Sequence, residues 1–157
     1  MAGNIKAKER AAITLTSTGS SLTNGSAGSA GTDLDLRASG NAEQDFQGQF
    51  ELTCQWATIT SIAKDTVAAE LYLVPKLDGT NAPDVDTTAG SSSLPRATYA
   101  DVFVCPKAPT ANTNMRLITN IITLAPRLYT GYILNKSGQT ISANWTLKTV
   151  TDQAQYT

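Results

Sequence analysis

From Asp33 onward, apolar and polar positions alternate with a period of two, the signature of strands rather than helices. Leu34 and Leu36 alternate with Asp33, Asp35 and Arg37. The clearest strand spans 46–59. Phe46, Phe50, Leu52, Cys54 and Trp56 share one face, and Gln47, Gln49, Glu51, Thr53 and Gln55 share the other. One dry face and one wet face suit an antiparallel sheet. Gly48 is a gap in the apolar series, where a bulge or a close backbone approach is expected. Val67, Ala69, Leu71 and Leu73 continue the pattern against Ala68, Glu70, Tyr72 and Val74, up to Pro75. Residues 99–105 form another strand, stopped by Pro106, and 115–124 read as a more deeply buried one. Strands at 128–135 and 140–150 are joined by Lys136-Ser137-Gly138-Gln139, which reads as a hairpin. Ile141, Ala143, Trp145 and Leu147 line one face of the last strand.

Seven or eight strands with almost no helical periodicity predict an all-β antiparallel β-sandwich. Periodicity leaves Greek-key and jelly-roll wiring equally open. Residues 1–32 stand apart as a flexible N-terminal arm, and 33–157 form the sandwich domain. Residues 14–32 are a Ser/Gly/Thr/Ala tract with Leu15 and Leu22 as its only large apolar side chains. So little apolar surface is not expected to offset the entropy of ordering. Ile5–Ile13 has room for one or two helical turns. The stretch from Pro75 to Pro95 is long for a loop, which suggests a surface built for contact.

Composition narrows the chemistry. Thr, Ala, Ser and Gly together make 67 of the 157 residues, and charged residues only 16%. There is no histidine, which excludes Ser-His-Asp hydrolysis and His-ligated metals. Twelve basic residues against thirteen acidic ones give a net charge of −1. That balance lacks the positive surplus that drives phosphate-backbone binding, so no nucleic-acid partner is expected. Lys6, Lys8 and Arg10, with Glu9 among them, read as a solvated tail. No segment has the roughly 18 apolar residues of a membrane span, and no apolar leader follows Met1, so no membrane partner is expected.

Candidate chemistry fails residue by residue. Glu43 with Asp45, and Asp84 with Asp86, fall in turn-like stretches rather than the cleft a carboxylate dyad needs. Asp78, Asn81, Asp84 and Asp86 lack the spacing of a calcium loop and read as turn residues. No phosphate-binding glycine motif occurs. Cys54 and Cys105 form no C-x-x-C and read as small buried hydrophobes. Trp56 and Trp145 lie on apolar strand faces, so core packing is expected rather than sugar stacking. No enzyme activity, cofactor, metal or small-molecule substrate is expected.

Three stretches, LDLRASGNAEQDFQGQFELTCQW (34–56), AAELYLVPKLDGTNAPDVDTTAGSS (68–92) and LNKSGQTISANWTLK (134–148), resemble small virion structural proteins of tailed bacteriophages, of the jelly-roll head decoration (cement) type. The resemblance covers roughly 33–150 and carries no catalytic or ligand signature. It implies a jelly-roll homotrimer on the outer surface of a phage capsid, made in the host cytoplasm, whose partners are the major capsid protein and itself. Its work would be to clamp neighbouring capsid subunits and stabilise the shell. The alternatives are a tail, neck or fibre component, a receptor-binding one included, and a carbohydrate-binding β-sandwich. Arm and loop composition nominates contact residues: Ile5, Lys6, Lys8, Arg10, Ile13 and Leu15 in the arm, and Leu77, Asp78, Asn81, Asp84, Val85 and Asp86 in the loop.

Overall fold

A computed structural model describes the backbone of residues 5–16, 18–37, 44–81, 83–85, 87, 94 and 98–156, and their side chains except for 5–8, 44–46 and 153–156. Among the described residues eleven strands follow one another: β1 (Ile5–Glu9), β2 (Ile13–Thr16), β3 (Ala27–Ser29), β4 (Leu34–Asp35), β5 (Gln44–Cys54), β6 (Val67–Pro75), β7 (Tyr99–Val104), β8 (Met115–Ile118), β9 (Ile122–Thr123), β10 (Leu128–Asn135) and β11 (Thr146–Tyr156). They form two sheets. The six-stranded sheet runs β1-β11-β5-β8, with β2 also on β11 and β9 also on β5. The five-stranded sheet runs β3-β10-β6-β7, with β4 also on β10.

All pairings are antiparallel, and they nest. The first strands pair with the last, β3 and β4 with β10, β5 with β8 and β9, and β6 with β7. This is a long hairpin rolled into a sandwich, the jelly-roll wiring. The fold is thus the all-β sandwich that the alternation predicts.

The core lies between the sheets. β5 contributes Phe50, Leu52 and Cys54, β6 contributes Leu71 and Leu73, and β10 and β11 contribute Ile133 and Leu147. Trp56, Phe103, Leu117, Ile141 and Trp145 belong to it as well. A side chain of this size contributes about 1.5–3 kcal/mol when fully buried.

The segment 1–32 departs from the arm expected of it. β1 is a strand on β11, not a helical turn, with Ile5 opposite Tyr156 and Glu9 opposite Asp152. β2 lies on β11 and β3 on β10, so residues 13–29 help to build both sheets. Leu15 is only 1% exposed, and Leu22, Ala27 and Ala30 are buried as well. Two buried leucines supply about 2 kcal/mol each toward ordering the tract. The small residues are there for close approach. A Cβ on Gly19 would lie 1.9 Å from Trp145 Cε2, and one on Gly28 would lie 2.8 Å from Trp145 Cζ2. The Trp145 indole is packed against the backbone of this tract and donates from Nε1 to the Ser20 carbonyl at 2.7 Å.

Two further expectations change. The long strand over 115–124 is broken at 119–121, where the Thr119 hydroxyl accepts the Phe50 N–H at 3.0 Å. The turn after Asn135 is not a hairpin, because β10 and β11 belong to opposite sheets. Asn135 accounts for the crossing. Its amide donates to the Leu22 and Gln139 carbonyls at 2.8 and 2.7 Å and accepts from Ser137 N–H and Oγ at 3.0 and 2.8 Å. The Ser137 hydroxyl in turn accepts Trp56 Nε1–H at 3.0 Å. Each polar group buried in this turn has a partner, as burial requires.

Candidate contact site

The stretch 76–98 is the insertion between β6 and β7, and its placement follows from the strands beneath it. β6 is apolar on both faces, which marks a strand buried from both sides. Leu71 and Leu73 face the core, while Tyr72 and Val74 face outward. With Ala27, Tyr132 and Leu134 they form a second, smaller apolar cluster. Leu94 is buried in that cluster and Val85 packs on it half-buried. Leu94 and Val85 of the insertion thus pack on the outer face of the five-stranded sheet.

Before it does so, the chain makes a tight exposed turn at 76–81. Lys76 is anchored by Asp33 at 2.6 Å, and Asp33 also accepts the Thr130 hydroxyl at 2.8 Å. Lys76 N–H donates to Leu128 O at 2.9 Å. The Asp78 carboxylate accepts the N–H groups of Thr80 and Asn81 at 2.8 and 2.7 Å and the Asn81 amide at 2.9 Å. Those three donors hold its carboxyl down to about 2. Gly79 takes the positive φ of 76° that closes the turn. Leu77 is left 76% exposed at the tip. Beside it, Arg37 (paired to Asp35 through two bonds of 2.8 and 2.7 Å), Arg127 and Pro126 line a shallow cleft of about 480 Å³. The arrangement presents one apolar side chain on a rigid polar base, which suits contact with another protein surface.

The nominated residues separate accordingly. Leu77, Asp78, Asn81 and Asp84 are exposed. Val85 is half-buried on its own sheet, so it braces the loop. Leu15 belongs to the core, and Ile13 packs half-buried against it, so neither presents a free surface. Arg10 is half-buried beside β11, its N–H donating to Thr151 O at 2.9 Å. The backbone of Ile5, Lys6 and Lys8 runs in β1, and their side chains lie outside the described residues, as does Asp86. Leu77, Asp78 and Asn81 thus share one turn, whereas the β1 backbone that carries Ile5, Lys6 and Lys8 pairs with β11 in the other sheet.

Two surface features carry no signal in the alternation. A groove of about 690 Å³ lies along 14–32, lined by uncharged residues that include Thr14, Thr18, Ser20 and Thr32, with Trp145 beside them. Thr16 Oγ1 near it is buried without a partner. Ile118 and Ile121, at the edge of the six-stranded sheet, are 61% and 62% exposed. Both tryptophans are in the core, as their strand faces predict. Cys54 and Cys105 are free and buried, and burial pushes the Cys54 thiol up to about 12. Among the described residues, no group of three or more His, Cys, Asp or Glu side chains is placed to hold a metal.

No protein-family model matches the chain, and no curated protein matches it. A solved structure described as "Structure of infectious bursal disease virus Gx strain" overlaps 95% of this chain, at 15% identity and a TM-score of 0.35. This chain spans 36% of that one, and a likeness at this score supports no inference about function.

Proposed function

We propose that the chain is a structural protein of a virion that decorates the outside of a phage capsid and clamps neighbouring capsid subunits. The observation that carries the reading is the 76–98 insertion, which is braced on its own sheet by Leu94 and Val85 and offers Leu77 on a turn locked by Asp33 and Asp78. The jelly-roll wiring and the resemblance of 34–56, 68–92 and 134–148 to phage decoration proteins support it. A pre-ordered turn loses little entropy on docking, so one exposed leucine contributes more than it would from a mobile loop. Several copies binding only the assembled shell add their binding free energy to its stability. Linked footprints raise one another's effective concentration. The work is mechanical, and the proposal assigns the chain no catalysis and no cofactor.

The test is co-sedimentation of the purified chain with shells of the phage that encodes it, after removal of the native decoration. Saturable binding that falls at least tenfold in Leu77→Asp, with thermal unfolding unchanged, is expected. Absence of binding to the shell, with binding to tails or fibres instead, would move the chain to those parts of the particle.

A further inference from the structure

We propose that β8 is a self-association edge, along which Met115–Ile118 pairs antiparallel with the same strand of a second copy about a two-fold axis at Leu117. β8 ends the six-stranded sheet, with Leu117 opposite Leu52 and Ile118 opposite Glu51. Thr119 N–H donates inward to Phe50 O at 3.0 Å. Antiparallel ladders alternate, so Leu117 and Met115 also bond to β5, while Arg116 and Ile118 turn their N–H and C=O groups outward. Asn120 confirms the alternation, because its N–H points away from β5 to Asp101 Oδ2 at 2.8 Å. Asp101 therefore closes the edge at 120 and leaves it open at 116 and 118.

The side chains on this edge favour pairing over solvent. Natural edges are blunted by Lys, Pro or unpaired charge. β8 carries neither Lys nor Pro, and its one charge, Arg116, is held by the Glu51 carboxylate. Ile118 and Ile121 are among the most exposed large apolar residues. Ile118 also borders a depression of about 280 Å³ on the outer sheet face, lined in part by Ala12, Gln49 and Val150.

Charge pattern selects a second copy as the occupant. A two-fold contact places the same strand against itself. Centred on Leu117, it sets each Arg116 opposite Ile118 of the other copy, so no like charges face each other. The outward groups of Arg116 and Ile118 then close four main-chain hydrogen bonds, and the two six-stranded sheets become one.

Sedimentation equilibrium of the full chain, without shells, tests the contact separately from the decoration reading. Twice the 16.5 kDa chain mass, or a higher even multiple, is expected. Ile118→Pro removes an outward N–H and spares the bonds to β5, so it should halve the mass at unchanged thermal unfolding. If that variant misfolds, Ile118→Lys/Ile121→Lys decides, since both positions are exposed. A single-chain mass for the wild type, an odd multiple, or folded variants that keep the wild-type mass would overturn the proposal.

Discussion

Trp145 shows how a single residue orders a stretch that looks structureless. Its indole lies between the backbones at Gly19 and Gly28, and any side chain there must displace it. Gly19→Ala should therefore cost about 1–3 kcal/mol, the usual penalty of overpacking, read as a fall in thermal midpoint with near-UV change at the tryptophans. An unchanged midpoint would mean that the tract is not packed on Trp145. Asp78 makes a second residue-level prediction. Its carboxyl is lowered from 3.8 to about 2, so the turn gains from the charged form above pH 3.8 and loses that gain as pH falls toward 2. Carbon-detected titration should place its midpoint near 2, and Asp78→Ala should loosen the turn at neutral pH. Burial holds Cys54 and Cys105 as thiols, so neither should react quickly with a thiol reagent until the chain unfolds.

At the scale of elements, β5, β6, β7 and β10 were legible because each shows either one-sided or two-sided apolar alternation, whereas β8 and β9 were read as one strand over 115–124 and the last strand was read over 140–150 instead of Thr146–Tyr156. The tract 14–32 was not, because its signal is the absence of side chains where a backbone must approach an indole. That absence looks the same in a flexible linker. The turn at 136–139 was visible as a turn, but turn chemistry says nothing about which sheet the next strand joins; Asn135 and Ser137 settle that through contacts distant in sequence. The loop's exposed residues were found by composition. Leu15 and Val85 were nominated with them because an apolar residue in a polar stretch looks the same whether it anchors inward or outward. Leu94→Ala tests the loop's inward anchor. It should cost about 2 kcal/mol, at the low end for a buried leucine, and raise hydrogen exchange across 76–98 while leaving the main core protected. Protection unchanged across the loop would show that it does not rest on the sheet.

At the scale of the whole molecule, nested pairing makes the chain's beginning and end one structure. β1 and β2 both pair with β11, and β3 pairs with β10, so removing 1–32 takes away β1, β2, β3 and the buried Leu15 and Leu22. That truncation should abolish cooperative unfolding. Removing 1–9 takes away β1 and should leave a folded sandwich. Circular dichroism of the two truncations checks this, and a folded 33–157 fragment would contradict it. The same wiring assigns different roles to the two sheets. The five-stranded sheet takes Leu94 and Val85 of the insertion on its outer face, below the turn that presents Leu77, and the six-stranded sheet ends at β8.

The proposed decoration role requires this sandwich to be a repeated component of a capsid surface. Quantitative mass spectrometry of purified particles, reading this chain against the major capsid protein, tests it most directly. A ratio near one is expected, with the chain protease-accessible on intact particles. A handful of copies per particle would contradict a shell-wide clamp and point to the tail, neck or a fibre, and absence from the particle would contradict the virion reading altogether.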